Sequence, residues 1–313
     1  MKWRNKRDPE LKGATDDTAY GDWLSLGDIK TPIPFIDLAY HAYDAQLMSE
    51  MAAAIGKPEE AKKYQADAAK IRAAFQKTYL KPDAKLEVHN QSTYAIALFF
   101  DLIPTEQRSA VAAHLATLIK ENGNKMNTGF LGTRPLLPAL SATGHHDIAG
   151  ILMQQHEYPS WGYEVDNGAT TIWERWNSYI KGTGVHEPSM NSFSHYAFGA
   201  VCEWMFADLV GIDRAAPGFD RIKIAPRPTG TITHAAASME TRHGKLACSW
   251  KLEGGKFLAE IIVPANTTAE VTLPVKGEIS EGGASIQGRS GIRDVKGNQL
   301  TLGSGNYQFS AAF

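Results

Sequence analysis

Residues 35–79 read FIDLAYHAYDAQLMSEMAAAIGKPEEAKKYQADAAKIRAAFQKTY, and this stretch decides the fold class of the first part of the chain. Apolar side chains recur every three to four residues, the period of an amphipathic helix, on both sides of Gly56 and Pro58. Because glycine often ends a helix and proline often begins one, the pattern predicts two helices joined by a short turn. Their apolar stripes are Ile36, Tyr40, Tyr43, Leu47, Met51 and Ala54, then Ala61, Tyr64, Ala68, Ile71 and Phe75.

Helical patterns continue to about Ile212. They predict helices over 91–101, 105–122, 134–143, 146–156 and 190–210, and the last is apolar nearly all round, which predicts burial on every side. Two long connections, 123–133 and 158–188, are rich in Gly, Trp and Asn. Long loops in a compact domain are commonly functional. We therefore expect a site formed by these loops at one end of a scaffold of antiparallel helical hairpins.

After Pro217 the apolar residues alternate with polar ones, which is the period of a β-strand. Leu246, Cys248 and Trp250 form one such strand, Gly254-Gly255 marks a hairpin turn, and further alternating segments reach Phe309. Short strands separated by Gly and Asn turns predict an antiparallel β-sandwich. We therefore predict a helical domain over residues 1–216 and a β-sandwich domain over 217–313, the second without a chemistry-bearing cluster.

Composition excludes several classes of function. The net charge of −2 does not favour a nucleic-acid or anionic membrane partner, and no apolar stretch is long enough to span a bilayer. We expect a cytoplasmic location by default, because no signal-peptide pattern opens the chain. Cys202 and Cys248 are interpreted as two buried free thiols. Because nucleotide-binding and metal-binding motifs are missing, and His145-His146 lack the spacing of a metal site, we predict no cofactor and no metal.

The segment GATTIWERW at 168–176 contains the first catalytic candidate, Glu174. Nearby indoles would raise the pKa of its carboxyl by desolvation, whereas Arg175 would lower it. A carboxylate with such neighbours can act as a general base. The alternative is a structural Glu174–Arg175 pair beneath two packing tryptophans, Trp173 and Trp176.

Two further segments admit both a functional and a structural interpretation. In YGDWL at 20–24, Asp22 can bind a sugar hydroxyl while Trp23 covers the apolar face of the sugar, or Asp22 can cap a helix. In NSFSHYAFGAV at 191–201, His195 lies in the predicted apolar helix, where a histidine is commonly a core residue. The residues alone leave these alternatives open.

Taken together, four segments resemble the α-L-rhamnosidases of glycoside hydrolase family 78. They are YGDWL, NTGFLGT at 127–133, GATTIWERW and NSFSHYAFGAV, and the tail beginning FDRIKIAPRP resembles the C-terminal domain of that family. The resemblance implies an (α/α)6 barrel followed by a β-domain, with a rhamnose-containing glycoside as substrate. It also implies that Glu174 is the general base, that His195 and Trp23 line the rhamnose site, and that the other subsite residues are Asp22, Trp161, Trp173 and Trp176.

The general acid of this family lies upstream of the GDW segment in an Asp-Glu-Arg-Leu-Gly-Trp motif, which is not matched here. Asp8, Glu10, Asp16 and Asp17 precede Tyr20, but none lies in that motif. The first barrel helices are also unmatched, so we expect an incomplete toroid that associates through its apolar face.

Two hypotheses follow: an inverting rhamnoside hydrolase, in which acid assistance is worth roughly 10²–10⁴-fold, or a non-catalytic sugar-binding remnant. A third, minor interpretation is another activity of the six-hairpin glycosidases.

Overall fold

The computed structural model of the chain describes residues 8–13 and 20–313. The chain divides into two compact units, one ending at Ala200 and one running from Val201 to Phe313. The domain boundary predicted at 216–217 lies inside the second of these units. Ile212–Arg214 pairs with Arg221–Ile224 in a β-sheet, so these residues before Pro217 are already part of the β-rich unit.

The first unit is built from helical hairpins. Three antiparallel pairs follow one another along the chain: α1 (Ile33–Ala54) with α2 (Pro58–Tyr79), α3 (Gln91–Phe99) with α4 (Arg108–Glu121), and α5 (Phe130–Ala142) with α6 (His146–Met153). Contacts also join α1 to α3 and α3 to α5, so the first helices of successive hairpins are neighbours. This arrangement confirms the predicted scaffold of helical hairpins. A short helix, α7 (Trp161–Asp166), and a small hairpin, β1 (Tyr179–Ile180) with β2 (Gly184–Val185), follow.

Helices α1 and α2 pack through a cluster of aromatic rings. The ring centroid of Phe35 lies 5.0 Å from that of Phe75 and 4.9 Å from that of Tyr79. The α2 stripe is confirmed where Ala68, Ile71 and Phe75 are buried. The α1 stripe is partly wrong, because several alanines outside the predicted stripe are buried and Met51 is exposed. The buried side chains of α1 are Phe35, Ile36, Leu38, Ala39, His41, Ala42, Ala45 and Ala52.

The predicted continuous helix over 190–210 is wrong. Residues 190–196 form a loop, Ala197–Ala200 form a 3₁₀ turn, Val201–Trp204 form α8, and Met205–Val210 form a π-helical turn. Side chains at the start of this segment bond to backbone groups and so compete with helix formation. Asn191 Nδ2 donates to the carbonyl oxygens of Ser178 and His186 at 3.0 and 2.6 Å, and Ser192 Oγ accepts from the amide of Ser194.

The second unit contains two sheets. One has the order β10-β9-β13-β7-β6-β5 and the other β11-β12-β8-β4-β3. All strand pairs are antiparallel except β4 with β8, which are parallel. The strands are β3 (Ile212–Arg214), β4 (Arg221–Ile224), β5 (His234–Thr241), β6 (Gly244–Glu253), β7 (Lys256–Val263), β8 (Thr268–Thr272), β9 (Ser280–Glu281), β10 (Ala284–Ser285), β11 (Ile292–Lys296), β12 (Gln299–Leu302) and β13 (Gly305–Ala312).

Alternate residues of the longer strands are buried, as the sequence pattern predicts for a β-sandwich. The hairpin between β6 and β7 turns at Gly254-Gly255, where both residues have positive φ, the conformation that a tight hairpin requires. Cys248 is buried on β6 as predicted, and burial raises the pKa of its thiol to about 12. Cys202 is exposed, so its predicted burial is wrong.

Candidate active site

Asp22 connects the YGDWL segment to the beginning of α5. Its Oδ1 accepts hydrogen bonds of 2.9 Å from the amides of Leu131 and Gly132, and its Oδ2 accepts from the amide of Gly129 at 2.9 Å and from the hydroxyl of Ser92. The carboxylate is buried and complements the positive end of the helix. This geometry favours the helix-capping alternative. It does not support the predicted role as a sugar ligand, because both carboxylate oxygens are already occupied.

Trp23 lies next to this cap with its ring at the surface. Its carbonyl oxygen accepts a hydrogen bond of 3.0 Å from the amide of Phe130, while 37% of the residue is exposed. The ring makes an edge contact with the ring of Tyr20 at 5.2 Å. Gly129 permits the close approach, since a Cβ at this position would collide with the carbonyl oxygens of Asp22 and Trp23. Trp23 therefore offers an aromatic face that is anchored through its backbone.

The segments GATTIWERW and NSFSHYAFGAV are joined through their backbones. The amide of Glu174 donates to the carbonyl oxygen of Ser192 at 2.9 Å, and the amide of His195 donates to the carbonyl oxygen of Ile172 at 2.9 Å. The hydroxyl of Thr171 donates to the carbonyl oxygen of Phe193. The two strongest motifs of the sequence therefore form one unit, although their central residues are separated along the chain.

His195 connects this unit to the Trp23 segment. Its ring centroid lies 4.8 Å from that of Phe130, whose amide bonds to Trp23, and its ring stacks on that of Tyr196 with an interplanar angle of 9°. His195 is half-buried in a loop and does not lie in a core helix. Its Nδ1 accepts a hydrogen bond of 3.3 Å from the amide of Ala197. In the neutral ring this bond places the proton on Nε2, which can then donate to a ligand.

The carboxylate of Glu174 is half-buried and free to bind a ligand. Within residues 8–13 and 20–313 it makes no hydrogen bond or ion pair. The guanidinium of Arg175 does not approach it as a salt-bridge partner but donates from Nε to the carbonyl oxygen of Met190 at 3.0 Å. The alternative of a structural Glu174–Arg175 pair is therefore not found in this part of the chain, and the geometry leaves the carboxylate available to a water molecule.

Three tryptophans predicted in the sugar subsite are buried. Trp161 donates from Nε1 to the carbonyl oxygen of Phe198 at 3.0 Å, and Trp176 stacks on the Phe198 ring at 3.9 Å between centroids. Trp173 is likewise buried and makes an edge contact with Phe193. Buried indoles cannot present a face to a sugar, so their predicted direct contact with the substrate is not supported. They pack against other aromatic side chains of this unit.

Sequence reasoning did not identify Glu164 on α7. This residue is only 3% exposed, and burial raises the pKa of its carboxyl to about 8, with the backbone N–H of Trp173 counteracting the shift. The helix itself begins at Ser160, whose Oγ accepts from the amide of Tyr163. No local pattern distinguishes Glu164 from the neighbouring acids, because its burial depends on tertiary packing. Tyr196, which is 88% exposed, was also missed.

The acidic residues upstream of Tyr20 do not supply an evident general acid. Asp8 is buried, and its carboxylate accepts from the amides of Lys12 and Gly13 at 3.0 and 2.8 Å. Glu10 is exposed and pairs with Lys12. Asp16 and Asp17 lie outside the described residues. In the described part of the chain, no group of three or more His, Cys, Asp or Glu side chains could hold a metal ion, and no helix is long and apolar enough to cross a membrane.

Comparison with known proteins places this fold among the six-hairpin glycosidases. Residues 1–209 match the model of the bacterial α-L-rhamnosidase six-hairpin glycosidase domain, and residues 211–285 match that of the bacterial α-L-rhamnosidase C-terminal domain. The chain belongs to the bacterial α-L-rhamnosidase family. This finding confirms the resemblance drawn from the four sequence segments.

Individual relatives agree with this assignment. An α-L-rhamnosidase of Streptomyces avermitilis is 44% identical over 255 residues, which cover 82% of this chain and 24% of the relative. An α-L-rhamnosidase of Formosa agariphila is 38% identical over 265 residues, which cover 82% of this chain and 28% of the relative. The crystal structure of a Streptomyces avermitilis α-L-rhamnosidase complexed with L-rhamnose matches with a TM-score of 0.90 and 38% identity, over 99% of this chain and 29% of that one. The Aspergillus terreus α-L-rhamnosidase matches with a TM-score of 0.83 and 30% identity, over 99% and 36%. The chain thus spans about a quarter to a third of the length of these relatives.

Proposed function

We propose that this chain forms the rhamnose subsite and carries the general base of an inverting α-L-rhamnosidase, with Glu174 as that base. The observation that carries the proposal is the free, half-buried carboxylate of Glu174 on a backbone bonded to the His195 segment. A general base needs an acceptor oxygen that no other group occupies and a backbone that holds it in position. Family membership supplies the substrate class, a glycoside with a terminal α-L-rhamnosyl group.

In this mechanism the Glu174 carboxylate takes a proton from a water molecule as that water attacks the anomeric carbon of the rhamnosyl group. The bond from the anomeric carbon to the glycosidic oxygen breaks, and the leaving oxygen receives a proton from a general acid or from solvent. Attack from the face opposite the leaving group inverts the configuration, so the first product is β-L-rhamnose. Trp23 covers the apolar face of the sugar, and Nε2 of His195 donates to a sugar hydroxyl.

The test is hydrolysis of an aryl α-L-rhamnoside, whose activated leaving group needs little acid assistance, by the purified 313-residue chain. We expect turnover that Glu174→Gln lowers by roughly 10²–10⁴-fold, the usual contribution of a general base. The matched control is Glu121→Gln, at the exposed end of α4, which should keep full activity. An unaltered rate in Glu174→Gln, or α-L-rhamnose as the first product in proton NMR spectra, would contradict the proposal.

Azide provides a second, chemically specific test. In Glu174→Ala the attacking water lacks its base, whereas azide is a nucleophile that needs no deprotonation. We expect azide to restore turnover of the aryl rhamnoside in this variant and to yield a β-L-rhamnosyl azide. Azide should not accelerate the unsubstituted chain or Glu121→Gln. If azide fails to restore turnover in a folded Glu174→Ala chain, Glu174 is not the base.

A second candidate function is non-catalytic binding of rhamnose-containing sugars. The observation that favours it is that Asp8 and Asp22 are occupied by backbone amides and Glu10 by Lys12, so none of them is free to act as the general acid. Calorimetry with L-rhamnose separates the two candidates. Binding without hydrolysis of the aryl rhamnoside supports the second, whereas turnover that depends on Glu174 excludes it.

We also propose that the chain associates through its helical unit. Ile29, Val165 and Tyr196 are large exposed side chains of this unit, and exposed apolar surface favours association. Sedimentation velocity at micromolar concentration tests the point. Self-association is expected, and a strictly monomeric chain contradicts it.

A further inference from the structure

A groove lies on the outer face of the six-stranded sheet in the second unit. Its volume is about 630 Å³, and it is lined by β5, β6, β7 and β13 and by the turn between β9 and β10. Alternate residues of β6 and β7, among them Trp250 and Ala259, are buried in the core, and the intervening residues form the outer face. The volume falls within the roughly 300–1,000 Å³ of small-molecule sites. The groove is therefore large enough to hold a ligand.

Two rows of side chains cross the sheet in this groove. The strand register places Ser249 between Ala236 and Glu260 in the first row. Gln308 lies on the other side of Glu260 in the same row. Because neighbouring strands lie about 4.8 Å apart, a row spans about 14 Å from β5 to β13, which is longer than one pyranose ring. The second row contains His234, Lys251, Leu258 and Ser310.

The polar side chains of the groove have unused hydrogen-bonding capacity. Within residues 8–13 and 20–313, the side chains of Ser249, Ser310 and His234 make no hydrogen bond or ion pair. Nε2 of Gln308 approaches Oε1 of Glu260 only to 3.5 Å, which makes a weak hydrogen bond. Hydroxyl, amide, imidazole and carboxylate groups together supply both donors and acceptors. This combination suits a ligand with several hydroxyl groups.

Charge and apolar surface narrow the class of ligand. Among the described residues of the lining, Lys251 and Glu260 carry opposite charges, and Lys251 is already paired with Glu253 at 2.7 Å. The groove therefore has no excess of positive charge to hold a phosphate or another anion. Leu258, half-buried between Lys251 and Ser310 in its row, offers apolar surface. A neutral ligand that has both hydroxyl groups and apolar ring faces fits this lining, and carbohydrates have that chemistry.

We propose that this groove is a second carbohydrate-binding site, which takes a neutral, rhamnose-containing oligosaccharide. Ser249, Ser310 and Glu260 bind sugar hydroxyls, and Leu258 contacts an apolar ring face. Binding at a second site keeps a polymeric substrate attached to the protein and raises its effective concentration there. The groove contributes no group to hydrolysis, so the proposal does not depend on the role of Glu174.

Nuclear magnetic resonance of the full 313-residue chain tests the proposal. The probe is a linear trisaccharide of α-L-rhamnose, and the isotope-labelled chain carries Glu174→Gln so that the probe is not consumed. We expect saturable chemical-shift changes at the backbone amides of Ser249, Leu258 and Ser310. These amides report on the groove directly, whereas binding near Glu174 would shift amides of the first unit.

Two variants and a matched control locate the binding. Ser249→Tyr places a phenol ring in the groove and should abolish the shifts, and tyrosine is well tolerated on the outer face of a strand. Glu260→Ala should weaken binding about ten-fold, the effect of one hydrogen bond to a charged group. Ser304→Tyr, at an exposed position between β12 and β13 and outside the groove, should bind the probe as tightly as the parent chain.

Each outcome supports or overturns the proposal. It is overturned if the groove amides do not shift at millimolar probe, or if sorbitol, a polyol without a ring, shifts them equally. Shifts that grow with protein concentration in the absence of sugar would show that a second copy of the chain covers this face, and would also overturn it. If Ser249→Tyr does not fold, Glu260→Ala and Gln308→Ala decide, and unchanged affinity in both overturns it. Failure of the proposed hydrolysis would leave the groove shifts unaffected, so the two failures are distinguishable.

Discussion

The backbone amide of His195 donates a hydrogen bond of 2.9 Å to the carbonyl oxygen of Ile172. A second bond of the same length joins the amide of Glu174 to the carbonyl oxygen of Ser192. The proposed base and the proposed sugar-binding histidine therefore lie on two loops that are bonded to each other. Displacing one loop must displace the other, so the geometry of water activation and that of sugar binding are set together.

The tautomer of His195 yields the first prediction. Because Nδ1 accepts from the amide of Ala197, Nε2 carries the proton and donates to the sugar. Gln places an amide N–H₂ near the position of Nε2, whereas Asn is too short and reaches only the position of Nδ1. In calorimetry, His195→Asn should bind L-rhamnose about ten-fold more weakly than His195→Gln, the effect of one hydrogen bond. Equal affinities, or tighter binding by His195→Asn, would show that Nε2 does not bind the sugar.

Trp23 and Trp176 should respond to truncation in opposite ways. Trp23 has an exposed ring, so Trp23→Ala should weaken rhamnose binding and leave the free energy of unfolding nearly unchanged. Trp176 is buried against Phe198, so Trp176→Ala should lower the free energy of unfolding by about 3–5 kcal/mol. Urea denaturation and calorimetry on both variants check the pair, and each variant serves as the control of the other. If Trp176→Ala keeps its stability but loses sugar binding, the result would support the role of Trp176 in the sugar subsite that was predicted from the sequence.

Replacing Asp22 should lower the free energy of unfolding. Replacing it by Ala leaves the amides of Gly129, Leu131 and Gly132 without their acceptor at the start of α5. We expect Asp22→Ala to lower the free energy of unfolding by about 3 kcal/mol, more than an exposed cap because the bonds are buried and charge-assisted. Asp28→Ala, at a nearby exposed position, is the control and should change little. If the unfolding curve of Asp22→Ala overlays that of Asp28→Ala, Asp22 does not stabilise the start of α5.

The buried carboxyl of Glu164 predicts a loss of stability at alkaline pH. Its pKa is raised from 4.5 to about 8 by burial, opposed only by the Trp173 N–H. A raised pKa in the folded state means that the contribution to stability is complete below pH 4.5 and is lost as pH rises through about 8. The loss amounts to at most about 5 kcal/mol at roughly 1.4 kcal/mol per pH unit.

Urea denaturation at pH 6 and pH 9 measures this dependence. The Gln side chain does not ionise, so Glu164→Gln should lose less stability than the unsubstituted chain between these two values. Comparing the two proteins cancels the contribution of Asp208, whose pKa burial raises to about 6. If both proteins lose the same stability, Glu164 does not titrate in the folded chain in this range.

Much of the fold followed from local patterns. The period of the apolar residues, with Gly56 and Pro58 between the first two helices, was sufficient to predict the helical hairpins, and strict alternation was sufficient for β6 and β7. Local patterns failed at 190–210, because apolar content does not reveal that Asn191 and Ser192 bond to other loops. The stripe of α1 was partly wrong for a similar reason, since contacts with more than one neighbour bury residues outside a single face.

The sequence by itself determined the family and the segments from which the candidate site is built, because long motifs such as GATTIWERW carry that information in their order and spacing. The tertiary structure decided which side chains of those segments can meet a ligand. It placed Trp161, Trp173 and Trp176 in the core, engaged Asp22 in a helix cap, and left Glu174 and Trp23 accessible. It also buried Glu164. Burial and hydrogen-bond partners depend on residues far apart in the chain, so no local pattern contains them.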